Sequence, residues 1–366
     1  TRTVSISLKF LFNRIRSPSI FTLTRRLQII NHQSSLFLKM AKSSVTVWSV
    51  SAILLPLLVA IVAHFVLFDG VDQPQMDHGS GSMFDMIAGR YDMINRVLAL
   101  GMDVGWRKTM VAQIKEHVLE VPHPRILDVS TGTADVALLL AADMPQATVL
   151  GIDPSANMLD IGRSKIQQLQ RSNQVTLEKH DARDLSGVLA KSSSALFDAA
   201  TMAFGIRNVP ERHIALCQIH SLLKKDARFC ILEFSEPDES FGYMGAAVRF
   251  FIRHVIPFVG GILSGAPREY WHLQKSIKEF PSPKQFAKQI QQLTCDSGTF
   301  HVDQVHQLMY GSVQIYSINV ERRTEAEIVS VDEIEQESAD ENDKEPGKSS
   351  SSSETTTTTT TTNEGI

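Results

Sequence analysis

The sequence predicts an α/β fold, a mostly parallel sheet with helices on both faces, over residues 83–323. Three observations predict it. Short apolar runs alternate with helical stretches of ten or more residues, a spacing that demands right-handed crossovers between parallel strands. The first two runs end in a polar turn and an acid, as strands feeding a ligand site do. Hydrophobic content of 43% with 21% charged is that of a globular core, which excludes wholesale disorder, collagen and coiled coil.

The elements follow in order. Residues 125–130, after Pro122 and Pro124, form the first strand and end in the polar turn 130–135. Residues 136–142 have helical composition, and Pro145 follows their end. Residues 148–153 are the second strand, closing on Asp153, and Pro154 starts a helix to about Leu169. Residues 175–179 are the third strand, running into Asp181 and Ala182, and residues 197–204 are the fourth. A helix over 211–223 and a fifth strand over 228–234 complete the repeat. Residues 312–320 alternate strongly and are expected as a terminal edge strand.

The two ends fall outside this pattern. Residues 1–68 carry eight basic side chains and no acid, whereas residues 325–366 carry twelve acids against two bases. The middle is close to neutral, so charge gives it no nucleic-acid surface. Residues 1–44, Arg-rich with Phe and Leu interspersed, have the composition of an amphipathic mitochondrial presequence. Residues 45–68 hold no charge, and at roughly 36 Å as a helix they are long enough to cross a bilayer core. They are expected to insert into a membrane, or to act as a signal sequence or signal anchor if translation starts at Met40. Residues 69–82 are a linker. From residue 324 the chain is acidic and then homopolymeric in Ser and Thr, which predicts disorder. Cys217, Cys230 and Cys295 are scattered, with neither a disulfide framework nor metal spacing, so a reduced compartment is expected. The histidines show no ligand constellation, and no metal is expected.

A ligand site is expected beyond the carboxyl ends of the strands. Gly132 lets backbone approach a ligand closely, and the helix beginning near Asp135 offers N–H groups. Asp153, twenty-five residues after Asp128, is placed to accept both hydroxyls of a ribose, and Asp181 to bind an exocyclic amine. The three-glycine dinucleotide fingerprint is absent, and a nucleoside without phosphates fits better, which points to S-adenosylmethionine. Helix capping or surface turns are the alternative roles for these acids.

Four segments make the reading specific: Phe84-Asp85 with Arg90-Tyr91-Asp92-Met93-Ile94-Asn95; Leu127-Asp128-Val129-Ser130-Thr131-Gly132-Thr133-Ala134-Asp135; Phe204-Gly205-Ile206-Arg207-Asn208-Val209; and Leu232-Glu233-Phe234-Ser235-Glu236-Pro237. In order and spacing they resemble the C-methyltransferases of ubiquinone and menaquinone biosynthesis. The resemblance implies a Rossmann-like, mostly parallel seven-stranded sheet with a helical lid, of the class I S-adenosylmethionine-dependent type. It implies cofactor contacts at Thr133, Asp153, Asp181, Ala182 and Ala203, beside Asp128 and Gly132. Arg207 and Asn208 are implied to face the transferred methyl, with Tyr91, Asn95 and Trp106 on a lid. Residues 241–280 are the expected substrate-covering insertion, whose apolar content suits a polyprenyl tail; an ordinary packed helix pair is the other reading. The implied reaction is C-methylation of a polyprenyl hydroquinone, a benzoquinol on the ubiquinone route or a naphthoquinol on the menaquinone or phylloquinone route.

The sequence departs from the family at the turn, where Thr131 and Ala134 replace glycines and are expected to crowd the cofactor or to need a disfavoured φ. An inactive scaffold in a multi-subunit quinone-biosynthesis complex is therefore a second reading. A nicotinamide-dependent oxidoreductase is a third, disfavoured because no Tyr-x-x-x-Lys pair is present. A salt bridge to Glu233 is the bland role for Arg207. The leader points to the matrix face of the mitochondrial inner membrane, and a signal sequence from Met40 would point to a plastid.

Overall fold

A computed structural model describes residues 81–191, 196–264 and 267–323. The leader, the hydrophobic segment, nearly all of the linker and the acidic tail lie outside the described residues. The chain divides into units 1–72 and 73–366, and every described residue belongs to the second.

Two helices, α1 (Ser82–Leu98) and α2 (Asp103–His117), precede the sheet. Then β1 (Arg125–Val129), α3 (Asp135–Asp143), β2 (Thr148–Asp153), α4 (Ala156–Gln168), β3 (Val175–Lys179), α5 (Ser186–Lys191), β4 (Phe197–Ala203), α6 (Arg212–Ser221) and β5 (Leu223–Phe234) alternate as expected. An insertion follows: α7 (Gly242–Phe250), a π-helical turn (Phe251–Val255), α8 (Ile256–Ser264) and α9 (Pro267–Glu279). The chain closes with α10 (Pro283–Gln291), β6 (Thr294–Cys295), β7 (Gly298–Leu308) and β8 (Val313–Arg322).

The strands form one sheet in the order β3-β2-β1-β4-β5-β8-β7-β6. β1 to β5 are parallel, and β6 to β8 are antiparallel. β1 is buried from Ile126 to Val129 because both faces are covered, which is why it reads as a continuous apolar run and not as an alternation. Two apolar layers flank the sheet. One includes Leu127, Phe229 and Tyr316; the other includes Ile126, Cys230 and Ile315 with Met110 and Ile114 of α2. A third cluster packs Ile94 and Leu98 of α1 against Ile252, Ile256 and Ile277 of the insertion.

Four expectations are corrected. The sheet has eight strands where seven were expected, and the strand near residues 312–320 lies inside it, paired to β5 on one side and β7 on the other. β7 escaped notice because its register shifts between Val302 and Gln304, so Phe300 and Val302 fall out of phase with Val305. The fifth strand starts at Leu223, not residue 228: Asp226 takes a φ of 60° and carries the strand through its polar segment. Lastly, Cys217 and Cys295 form a disulfide, with Cα atoms 5.2 Å apart across 78 residues of sequence. The cysteines are not all free, so the basis for expecting a reduced compartment is removed. Folding α6 beside β6 is what brings the two together, and sequence spacing carries no trace of that.

Candidate active site

The turn after β1 is built from left-handed residues: Ser130, Gly132 and Ala134 have φ of 54°, 53° and 67°. At Gly132 a Cβ would meet nothing within 4 Å, so this face of the turn is open. The two side chains that replace glycines turn the other way. Thr131 Oγ1 donates to Asp128 Oδ2 at 2.6 Å, and its methyl and hydroxyl pack where a Cβ on Gly151 would sit. The Ala134 methyl, fully buried, faces Gly162 of α4. Neither narrows the open face. Ser130 in turn dictates Gly205, where a Cβ would lie 2.5 Å from its side chain.

Asp128 is not brought to that face. It lies beneath the turn, accepting from Thr131, from Thr201 Oγ1 at 2.7 Å and from the Ala137 N–H. Burial pushes its carboxyl up to about 6 against these bonds. Asp153 does stand beside the turn, accepting from the Gly132 N–H and the Ser155 N–H, each at 2.9 Å. Burial raises it to about 6 as well, the two N–H bonds pulling the other way. Each oxygen keeps a further lone pair, so the carboxylate can still take two ribose hydroxyls. A carboxylate flanking an open glycine turn fits a nucleoside cofactor, which Asp153 and Gly132 would hold; the expected contact Thr133 is buried, with its hydroxyl taken by Asp92 and Lys165.

Asp181 follows β3 and is tied up locally. Arg183 donates to both its oxygens and also reaches Glu211 Oε2 at 2.7 Å. Burial alone would raise Asp181, but the Arg183 bonds together lower it. Ala182 is buried in the core behind it, and Ala203 ends β4 partly exposed.

Sequence reasoning missed how α1 is fastened over this turn. Asp85 accepts from Ser155 Oγ at 2.5 Å and from the Asn157 N–H at 3.0 Å. Thr133 Oγ1 donates to Asp92 at 2.7 Å, and Lys165 Nζ reaches Asp92, Asp135 and Thr133 at 2.6, 2.7 and 2.9 Å. Arg96 pairs with Asp103 and Asp135. The signal was available: Asp85 and Asp92 are seven apart, hence on one face of a helix.

Beyond the fastened helix lies a mostly apolar cavity, its empty volume about 1050 Å³ with the open mouth included. Tyr91, Asn95, Trp106, Arg207 and Asn208 all line it, so the structure brings these five expected residues together. Phe204 and Phe234 stack at 4.6 Å, and Trp106 meets both edge-on. Burial raises the Tyr91 phenol, so it stays protonated; the charges of Arg207 and Arg107 and a hydrogen bond with Asn95 oppose the shift.

The Arg207 guanidinium is committed to an ion pair. Nη1 donates to Glu233 Oε1 at 2.6 Å and to the Phe204 carbonyl at 3.1 Å, and Nε donates to Ser276 Oγ at 3.3 Å. Glu233, fully buried, also accepts from the Phe234 N–H and the Arg207 N–H. Asn208 Nδ2 donates to Phe204 O at 3.5 Å. Among the described residues no group of His, Cys, Asp and Glu is placed to hold a metal ion.

In sequence the chain is similar to known methyltransferases. The chain is 38% identical over 236 residues to the ubiquinone/menaquinone biosynthesis C-methyltransferase UbiE of Geotalea daltonii, covering 64% of this chain and 93% of that one. It is 38% identical over 206 residues to the demethylmenaquinone methyltransferase of Deinococcus radiodurans, covering 56% and 80%. Among solved structures it is similar to the magnesium protoporphyrin IX methyltransferase of Synechocystis with bound SAM, at TM-score 0.44 and 14% identity, covering 68% of this chain and 99% of that one. The ubiE/COQ5 methyltransferase family matches residues 74–315, which takes in α1, the turn, the cavity and the start of β8, and the chain belongs to that family.

Proposed function

We propose that the protein methylates a ring carbon of a polyprenyl benzoquinol, with S-adenosylmethionine as donor, in ubiquinone biosynthesis at the matrix face of the mitochondrial inner membrane. The observation that carries this reading is the single cavity that joins Arg207 and Asn208 at the end of β4 to aromatic walls and an apolar insertion. A polar end for a ring and an apolar end for a tail is the division such a substrate needs. The family membership supports the reaction class, and the outward-facing Gly132 beside Asp153 supports the donor.

When bound, S-adenosylmethionine supplies an electrophilic methyl on a positively charged sulfur. The rest falls to the protein. A ring carbon becomes nucleophilic only when its neighbouring phenol loses a proton, here to water at the open mouth of the cavity, and a fixed positive group nearby favours that loss. Arg207 stays protonated and cannot be the base. Its ion pair with Glu233 instead holds the guanidinium rigid as it lines the cavity, over the Phe234 ring at 5.6 Å. Asn208 presents an amide for the ring hydroxyl. α1, fastened by Asp85 and Asp92, excludes water from the pair of reactants.

The deciding assay is incubation with S-adenosylmethionine and short-tailed benzoquinol or naphthoquinol substrates, with methylated product read by mass spectrometry. Methylation of the benzoquinol supports the proposal. Turnover of the naphthoquinol alone overturns it in favour of the menaquinone-type reaction, the one named for the Deinococcus relative. The inactive scaffold loses its main support, because Thr131 and Ala134 leave the open face clear.

A further inference from the structure

We propose that the segment Glu239–Leu263 lies in a bilayer surface, its outer face among the lipids and its inner face roofing the cavity. The proposal deepens the quinol reading and rests on it only for the identity of the cargo. The segment is 25 residues long and apolar enough to cross a membrane, yet it does not read as a span because one side is packed. On that side Gly245, Ile252, Ile256 and Gly260 are buried, and Val248, Phe251, Ile252 and Ile256 line the cavity. Along α7 the other side is bare and uncharged. Tyr243, Ala246, Ala247 and Phe250 recur at helical spacing, with Tyr243 96% and Phe250 55% exposed, and Ile262 follows at 66%.

Two charges of this segment are tied down by neighbours, while Glu239 at its start is exposed. Arg249 donates to the carbonyls of Pro237 and Asp238, and Arg253 grips Glu236 with two bonds of 2.8 and 2.6 Å. The neighbouring helix repeats the pattern. On α1, Ile94 and Leu98 pack against Ile252 and Ile256, while Met93 and Val97 stay exposed four residues apart, and Leu100 is exposed just beyond its end. A helix packed on one side over an apolar cavity and exposing an apolar stripe on the other can bury that stripe in the lipid interface. With the same segment touching both lipid and cavity, a lipid-borne substrate need not cross water.

The test uses the full chain. An environment-sensitive fluorophore is placed on Ala247→Cys, and on Gln168→Cys at the exposed end of α4 as a control; the native thiols are bridged or, at Cys230, fully buried. With phosphatidylcholine vesicles carrying a nitroxide lipid, the proposal expects the Ala247 label to be quenched several-fold more than the control, with little dependence on salt. Equal quenching at both sites overturns it, since residues 45–68 alone would then hold the protein on the vesicle. A label already shielded without vesicles also overturns it, in favour of a second copy if the shielding depends on concentration and of another segment of this chain if it does not. Tyr243→Glu with Phe250→Glu should raise KM for a vesicle-borne long-tailed quinol at least tenfold and leave turnover of a soluble short-tailed quinol unchanged. If the unaltered protein methylates no soluble quinol, the quinol reading fails while the quenching result stands by itself.

Discussion

Lys165 Nζ lies 2.6 Å from Asp92 Oδ2, so the helix that follows β2 holds down the helix that precedes the whole sheet. The same ammonium reaches Asp135 and Thr133, at the start of α3 and within the turn. Cover and glycine turn therefore share one cation.

Replacing that cation should loosen the cover without unfolding the sheet. All the groups are partly exposed, so Lys165→Met is expected to lower stability by only about 1 kcal/mol. Amide exchange in α1 should speed up by more than in β1 or β4, because α1 loses its fastening while the strands keep their ladders. Cofactor affinity should fall with it. Hydrogen exchange with mass detection checks the first point, and calorimetric titration the second.

Arg207 presents the opposite case, a pair that is nearly all buried. Arg207→Met alone leaves the Glu233 carboxylate unpaired in the core and should destabilise by about 3–5 kcal/mol, so lost activity would say nothing about chemistry. Arg207→Met combined with Glu233→Met removes both charges and should recover most of that stability. The discriminating result is the turnover of this refolded double variant. Turnover below a hundredth of normal with cofactor binding intact places Arg207 at the reacting ring. Near-normal turnover would leave it a loop brace and no more.

The parallel half of the fold was legible because each strand is a short apolar run closed by a polar turn. β7 was not, since one shift at Val302 and Gln304 spoils its alternation. β8 was seen and misplaced: its alternation reports a strand, but pairing order is a tertiary property that no local pattern holds. At the site, Gly132 and Asp153 stood out by type and position. Thr131 and Ala134 were readable as departures, but their direction was not. Whether a side chain at a turn points into a pocket or under it depends on the partner beneath, here Asp128 for Thr131 and Gly162 for Ala134. Asp85 and Asp92 could be read from their spacing as one helix face, but what that face is fastened to is set by the tertiary fold.

The disulfide gives a further expectation. It ties α6 to the short strand β6, which pairs with β7 through only two residues. By the chain-entropy account a loop of this length is worth about 4 kcal/mol, so Cys217→Ser should lower the unfolding midpoint in urea clearly. The hairpin itself should stay docked, because His220 also contacts Ser297 and the Thr299 carbonyl. Comparing urea midpoints with and without a thiol reductant checks this. Identical midpoints would show that the bridge is not formed in solution.

The carboxyl of Asp153 should set the pH dependence of cofactor binding. Its folded value is raised to about 6, chiefly by burial, above the ordinary value near 4. For stability the sign is unfavourable: the folded protein holds this proton more tightly than the unfolded chain, so the group's contribution falls as pH rises from about 4 to about 6 and is level above that. Binding runs the other way. The ionised form accepts from the Gly132 and Ser155 N–H groups and can accept from a ribose, so affinity should weaken as pH drops through 6, by about tenfold between pH 7 and pH 5. Asp128 is raised into the same range but sits beneath the turn, so it can be separated by mutation. Asp153→Asn should bind S-adenosylmethionine weakly at every pH and show no such slope. A slope that survives in Asp153→Asn would transfer the titration to Asp128, and a flat profile in the unaltered protein would remove Asp153 from the ribose.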